Sequence, residues 1–343
     1  MSHDAIVLVL LCGVTFSASL LLTALVRRHA LRHGVIDGPN ERSSHLAPTP
    51  RGGGIAIVTA TTVGVTALYA LGLAPLRLLL ALAVGGLLVA GVGYMDDRHR
   101  LSAGVRFMVH VAAALWALAC LGGLPPLRFG DTTVVLGWPG YVLGAVAIVW
   151  VVNLFNFMDG IDGIAACEAV FIAACGGLLT GPAFGGTSAC AFVFAAASAG
   201  FLYWNWPSAR IFMGDVGSGY LGYCIAVLAV AVGHKAPAAL WVWLILGGVF
   251  FVDTTVTLVQ RFVLGKRVYE AHREHVYQWL ARRWGSHLRV TAAVLAVNVV
   301  WLLPCAMLAL RHPQIAAAAV LLSFAPLTAL PLMTARVRMA ASR

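Results

Sequence analysis

Charge is what this sequence has least of. Only 10% of its 343 residues are Asp, Glu, Lys or Arg, against 61% hydrophobic, where soluble domains carry roughly 25% charged residues. A water-soluble fold of this size could not hide so much apolar surface, so the natural solvent is a bilayer. Disulfide or metal-thiolate chemistry is poorly supplied as well. The seven cysteines, at 12, 120, 167, 175, 190, 224 and 305, lie in apolar stretches and none forms a CxxC pair, which leaves them as small buried hydrophobes. Internal repeats, low-complexity tracts and a separate soluble domain are missing. So is strand alternation at roughly ten-residue spacing, the mark of a membrane barrel.

What is present is a series of apolar runs. Eleven candidate spans lie near 5–26, 53–72, 76–95, 106–124, 138–153, 163–180, 184–203, 217–233, 238–260, 288–310 and 314–333. Backbone polar groups in hydrocarbon must pair within their own segment, so each span reads as a helix. The first follows Ser2, His3 and Asp4 rather than a basic leader and is long enough to cross, so it reads as a retained span and not a cleavable signal. With eleven helices, 19 of the 23 Lys and Arg residues fall on one side and four (Arg77, Arg128, Lys235 and Arg311) on the other. The positive-inside rule makes the first side cytoplasmic. The fold expected is an all-α polytopic membrane protein with about 11 transmembrane helices, its N-terminus outside and its C-terminus cytoplasmic. Residues 1–343 form one domain, with the active site built from cytoplasmic loops 27–52, 96–105, 153–162, 204–216 and 261–287. The net charge of +10 then reflects topology and anionic head groups. No loop is large enough for a folded basic domain, so nucleic acid is not expected as a partner.

The acids are few and concentrated. Asp96 and Asp97 end the third span, Asp159 and Asp162 follow the fifth, Asp215 follows the seventh, and Glu270 and Glu274 follow the ninth. Asp37 and Glu41 lie in the first cytoplasmic loop, while Glu168 and Asp253 fall inside spans and must face the bundle interior. Carboxylates from several loops at one membrane level suggest one shared site. They suit Mg²⁺, which is held by one or two carboxylates plus substrate phosphates. The accompanying arginines suit phosphate oxygens. The combination points to phosphoryl chemistry at a membrane surface.

Four stretches carry most of this. Gly93 to Leu101 holds the Asp96–Asp97 pair, set against the negative end of a helix dipole, which calls for a nearby cation. In the second stretch Asn153, Asn156, Asp159 and Asp162 recur every third position, so the first three can share one helix face. Gly160 and Gly163 there allow close approach of a ligand. In the third, Asp215 stands between Gly214 and Val216-Gly217 at a helix start, where it could cap the helix or share the spot with a metal and a phosphate. The fourth, His272-Arg273-Glu274-His275, says little alone. The first loop adds Pro39 to His45 and then Pro50-Arg51-Gly52-Gly53-Gly54, whose glycines could form either a backbone nest for an anion or a flexible helix entry.

Taken together, these stretches resemble the polyprenyl-phosphate N-acetylhexosamine-1-phosphate transferase superfamily, also called glycosyl transferase family 4. The resemblance runs from about residue 37 to 278, with the motifs in the family's order. It implies a catalytic role for Asp96 or Asp97, by which the lipid phosphate would lose a proton. Asn153, Asn156, Asp162, Arg51, His272, Arg273 and His275 become substrate contacts. Asp215 becomes the main Mg²⁺ ligand, supported by Asp159 or Asp162, with Mn²⁺ able to substitute. The implied partners are a UDP-N-acetylhexosamine, polyprenyl phosphate and the bilayer of a bacterial inner membrane, with a homodimer as one allowed assembly. The family's peptidoglycan translocase has three consecutive histidines where this chain has His272-Arg273-Glu274-His275. That departure disfavours a muramyl-pentapeptide donor and resembles members that initiate O-antigen in lipopolysaccharide. Two other classes stay open on residues alone: a secondary transporter, which would rely on Asp253, and a passive scaffold.

Overall fold

The computed structural model describes residues 2–38, 48–99, 101–181, 185–266 and 272–341, with side chains described as far as Thr334. The loop residues from Pro39 to His45, and Arg100, Arg267 and Glu270, lie outside the described residues.

The chain is a helical bundle. In order come α1 (His3–His33), α2 (Gly54–Ala70), α3 (Leu76–His99), α4 (Ala103–Leu121), α5 (Trp138–Met158), α6 (Ile164–Thr180), α7 (Gly186–Asn205), α8 (Asp215–Gly233), α9 (Pro237–Leu246), α10 (Gly248–Val263), α11 (Val276–Trp284), α12 (His287–Arg311) and α13 (Ala316–Ala341). Sheet among the described residues is limited to two small antiparallel pairs. β1 (Ile36–Asp37) pairs with β2 (Thr49–Pro50), and β3 (Leu127–Phe129) with β4 (Thr132–Val134).

Among the described residues eight helices are long and apolar enough to cross a membrane, or nine when α9 and α10 count as one broken span. The protein is therefore a multi-pass membrane protein. The sequence suggested eleven crossings. The two remaining positions are filled by the shorter apolar helices α2 and α6. The expected single span 238–260 is instead bent by 73° between α9 and α10. The bend falls at Gly247, the last residue before α10, where adjacent glycines remove the side chains that would resist it.

α8 is the pillar of the bundle. It touches α2 through α7 and also α9, and every residue in it except Asp215 and Ala229 is buried. Its small residues explain how so many neighbours reach it, because helices associate in lipid through close backbone packing. A Cβ at Gly54 would sit on the Gly217 backbone, one at Gly93 on the Asp215 carbonyl, and one at Gly222 on the Val151 carbonyl. The Tyr223 hydroxyl donates to Ala81 O at 2.8 Å, and Gly85 leaves it the space. Residues Ala81–Gly85 form a π turn at that point, as expected where a side chain intrudes on the helical ladder.

The Gly54–Gly217 contact makes a direct test. Gly54→Ala should destabilise the detergent-solubilised protein by roughly 1–3 kcal/mol as the two helices separate, read as a lower Tm. Gly91→Ala, where a Cβ meets nothing within 4 Å, should leave Tm unchanged or slightly raised.

Candidate active site

The site is built where α8 begins. A helix starting inside a bundle leaves backbone N–H groups without intrahelical partners. Here they are met by a carboxylate from another helix. Asp97, at the end of α3, accepts from Asp215 N at 3.0 Å through Oδ1 and from Val216 N at 3.3 Å through Oδ2. Gly214 precedes the helix with φ 78°, a backbone form that favours glycine, and a Cβ there would lie 2.6 Å from Asp97 Oδ2. This revises two readings from sequence. Asp215 is the first helical residue and not the cap, and the first-turn amides it shares with Val216 are committed to Asp97 and not left for a phosphate.

Arg51 closes the cluster. Its Nη2 lies 2.6 Å from Asp97 Oδ1 and 3.0 Å from Asp215 Oδ1. A backbone weld puts it there. Phe212 N donates to Pro50 O at 2.8 Å, and Arg51 forms a parallel bridge with Phe212. The amides of Gly52 and Gly53 donate to Phe212 O at 3.1 and 2.9 Å, and Gly54 N donates to Met213 O at 2.9 Å. The anion nest considered from sequence is therefore not formed, because its donors tie the first loop to the segment before α8.

Asp96, beside the same cluster, has partners of its own. Its carboxylate accepts from Leu101 N at 2.6 Å and pairs with Arg106 Nη1 at 2.5 Å. Arg106 also lies 3.9 Å from Asp215 Oδ2. Sequence reasoning gave Arg106 no role. The signal was its place one helical turn inside α4, on the same side of the membrane as the paired aspartates. Asp159 follows the last residue of α5. Burial first, and then the Asp215 carboxylate, push its pKa up to about 7, while Arg51 acts against the rise. Carboxylates thus outnumber guanidiniums around this point.

The third-position spacing is partly realised as one face. Asn156 Oδ1 accepts from Ser218 Oγ at 2.6 Å, one turn into α8. Asn153 instead donates to Val149 O of its own helix at 2.7 Å. Asp162 faces away from Arg51. Its carboxylate accepts from Ala209 N at 3.1 Å and lies 3.3 Å from His287 Nδ1, a residue the sequence reading missed. Asn205, the first residue of the third motif, accepts from Gly163 N and donates to Ile211 O, both at 3.0 Å, and so holds two loops together.

The histidine loop packs against the end of α5. His272 and His275 stack on Phe157 at 6.3 and 6.2 Å between ring centroids, and Tyr277 Oη donates to Phe157 O at 2.9 Å. His275 is only 1% exposed, whereas His272 and Arg273 are partly exposed. Arg261 and Lys266 both pair with Glu274, at 2.5 and 3.0 Å. Asp253, the residue a transporter would need, is occupied structurally. It accepts from Val276 N at 3.0 Å and Tyr277 N at 3.2 Å and so caps α11. Glu168, also buried, accepts from Asn298 Nδ2 at 2.5 Å. A cleft of about 80 Å³ opens beside Arg51 and Asp97, between the end of α1 and α3.

This geometry defines a membrane-embedded protein whose polar groups gather at one end of the bundle as an all-oxygen, arginine-bridged centre. Comparison with known proteins agrees. Residues 79–233 match the glycosyl transferase family 4 profile. The chain is 28% identical over 315 residues to a Bacillus subtilis (strain 168) protein named "Probable undecaprenyl-phosphate N-acetylglucosaminyl 1-phosphate transferase", covering 84% of this chain and 85% of that one. It is 30% identical to the decaprenyl-phosphate N-acetylglucosaminephosphotransferase of Mycobacterium tuberculosis (strain CDC 1551 / Oshkosh), covering 79% of this chain and 75% of the relative. It is 34% identical to a phospho-N-acetylmuramoyl-pentapeptide-transferase of Rhodopseudomonas palustris (strain BisA53), covering 68% and 72%. The chain belongs to glycosyl transferase family 4, a family of membrane phosphotransferases.

Two outcomes follow from the geometry. Asp253→Ala should speed amide hydrogen exchange at Val276 and Tyr277 by roughly fivefold or more, the factor that loss of a helix cap supplies, while exchange in α8 stays unchanged. Asp159 carries a pH signature. Its folded value of about 7 stands above the ordinary 3.8, so folding favours the neutral acid. That stabilisation is complete below the ordinary value and is lost as pH rises through 7. Without divalent cations, Tm should fall across this window, and Asp159→Asn should flatten the fall.

Proposed function

We propose that this protein transfers an N-acetylhexosamine 1-phosphate from a UDP-sugar to polyprenyl phosphate at the cytoplasmic face of a bacterial inner membrane. The products are a polyprenyl-diphosphate sugar and UMP. An oxygen of the lipid phosphate bonds to the phosphorus next to the sugar, and the bond from that phosphorus to the UMP oxygen breaks. The observation that carries this reading is Arg51 held between Asp97 and Asp215 at the start of α8, in a chain whose relatives bear the names given above.

The residues present fit a divalent cation. Among the described residues no group of three His, Cys, Asp or Glu side chains could hold a metal alone, but Mg²⁺ characteristically takes one or two carboxylates and completes its shell with water and substrate phosphate. Asp215 and Asp159 are the carboxylates proposed to hold it, with Mn²⁺ as a substitute. Burial first, and then the neighbouring carboxylates, lift Asp159 to about 7, and the second cause is what an added cation would relieve. When bound, the cation offsets the charge on the diphosphate.

The remaining work falls to the chain. Arg51, released from carboxylate pairing, offers a planar fork to phosphate oxygens. Asp97 is assigned a positioning role, because both its oxygens already hold the α8 amides and Arg51. A general base is not required: the second pKa of a phosphate monoester is about 6, so the acceptor reaches the site largely dianionic at neutral pH. Asn156, fixed by Ser218, and the partly exposed His272 and Arg273 border the same end of α5 and are proposed to contact the donor. The His-Arg-x-His loop favours an N-acetylhexosamine donor over muramyl-pentapeptide and an O-antigen-type glycan as the product initiated.

Washed membranes containing the protein should convert UDP-[¹⁴C]GlcNAc and polyprenyl phosphate into labelled diphospholipid with release of UMP. A panel including UDP-N-acetylated 6-deoxysugars and UDP-muramyl-pentapeptide would rank the donors. Asp215→Asn should abolish Mg²⁺-dependent UMP release. Near-normal turnover in that variant would remove Asp215 from the metal site, and label accumulating in vesicles without a lipid product would favour transport.

A further inference from the structure

The opposite end of α8 carries a second polar feature that the transfer reaction leaves unused. α8 runs 19 residues from Asp215 to Gly233, which at 1.5 Å per residue is roughly 28 Å, about the thickness of a bilayer's hydrocarbon core. At its far end lies a half-open cavity of about 600 Å³. The walls come from four places: the turn between α2 and α3, the end of α4, the start of α7 and the residues that close α8.

Its polar lining is basic. Arg77, His234 and Lys235 all border the cavity, and no Asp or Glu is among the described residues lining it. Only four Lys and Arg residues fall on this side of the membrane by the sequence topology, and two of them meet here. Basic residues are depleted on this face by the rule that sets topology, so their convergence on one concavity is not explained by orientation. His234 is anchored: Nε2 lies 2.9 Å from the Gly123 carbonyl. A carbonyl only accepts, so Nε2 carries the proton and is spent on Gly123, which leaves Arg77 and Lys235 as the basic side-chain donors that line the cavity. Lys235 reaches the start of α7, where a Cβ on Gly185 would lie 3.9 Å from Nζ.

Leu71 and Leu76, next in sequence to lining residues of the turn, are 56% and 48% exposed. Leu78 and Thr187, which line the cavity, are buried. The cavity far exceeds what a single small anion needs, and its basic lining lies beside exposed apolar side chains. We propose that it binds a phosphate group, with the size of a glycerophosphate head group, drawn from the leaflet opposite the transfer site. This site is independent of the transferase reading, since none of its residues lies among those assigned to that chemistry.

The test uses the full-length protein, delipidated in neutral detergent, titrated separately with dihexanoyl-phosphatidylglycerol and with inorganic phosphate at low ionic strength. Saturable binding by calorimetry and a rise in Tm are expected with the phosphatidylglycerol. In Arg77→Gln/Lys235→Gln the affinity should fall roughly 30-fold, the loss expected for two basic side chains beside an anionic head group. Binding confined to the lipid assigns the source to a head group. Equal binding of inorganic phosphate, lost in the same variant, assigns it to phosphate itself. The unliganded Tm of the double variant should match wild type, and the two single variants serve where it does not. No saturable binding of either probe, or binding undiminished in the variants, overturns the proposal.

Discussion

A helix that starts inside a bundle must find acceptors for its first amide hydrogens, and in this protein they come from a different helix. Asp97 of α3 takes the amides of Asp215 and Val216, and the same carboxylate holds Arg51. One side chain thereby fixes the start of the central helix, the end of α3 and the first loop in a single arrangement. A surface ion pair would contribute little. The weight of this one lies in geometry, because the partly buried carboxylate gathers donors from two segments, the first loop and the start of α8, both distant from it in sequence. Asp215 and Asp159, the carboxylates proposed to hold the cation, lie at that junction or within electrostatic reach of it.

The second constraint is the closeness of the backbones around α8. Gly54, Gly93, Gly217 and Gly222 meet neighbouring backbone with no room for a Cβ. In lipid there is little hydrophobic drive between helices, so contact depends on packing of small residues. These glycines let α2, α3 and α5 approach α8, and the loop amides of Gly52, Gly53 and Gly54 are consumed in the same junction. Glycines that looked like an anion cradle turn out to be a weld. The acids within spans divide in a similar way. Asp253 caps α11 and Glu168 receives Asn298, so both are accounted for by local polar satisfaction, which an apolar surrounding demands.

Much of the fold was legible before any coordinates. Hydropathy located every long helix, because about twenty apolar residues in a row have few alternatives in a bilayer, but α1 and α13 run on to His33 and Ala341, past the apolar runs that ended at 26 and 333. The break at Gly247 was not legible, since α9 and α10 are continuous in hydropathy and only their packing separates them. Of the site, the convergence of residues 51, 97, 159 and 215 followed from their shared membrane level. Asp162 and Asn153 carry the same motif spacing yet point to His287 and to their own helix. Periodicity names a face, but the residue at the helix end leaves that face once the helical turn stops.

Sequence alone determined the solvent, the helical class, the gathering of carboxylates at one end and the family, because apolar run length, charge asymmetry and motif order are written along the chain. Tertiary structure alone decided which carboxylate caps a helix and which does not. It also brought Arg106, Ser218 and His287 to their partners and collected Arg77, His234 and Lys235 around one cavity. Those outcomes depend on which helix ends meet, and that is settled by side-chain volumes and hydrogen-bond geometry, for Asp97, His287 and His234 across segments more than a hundred residues apart.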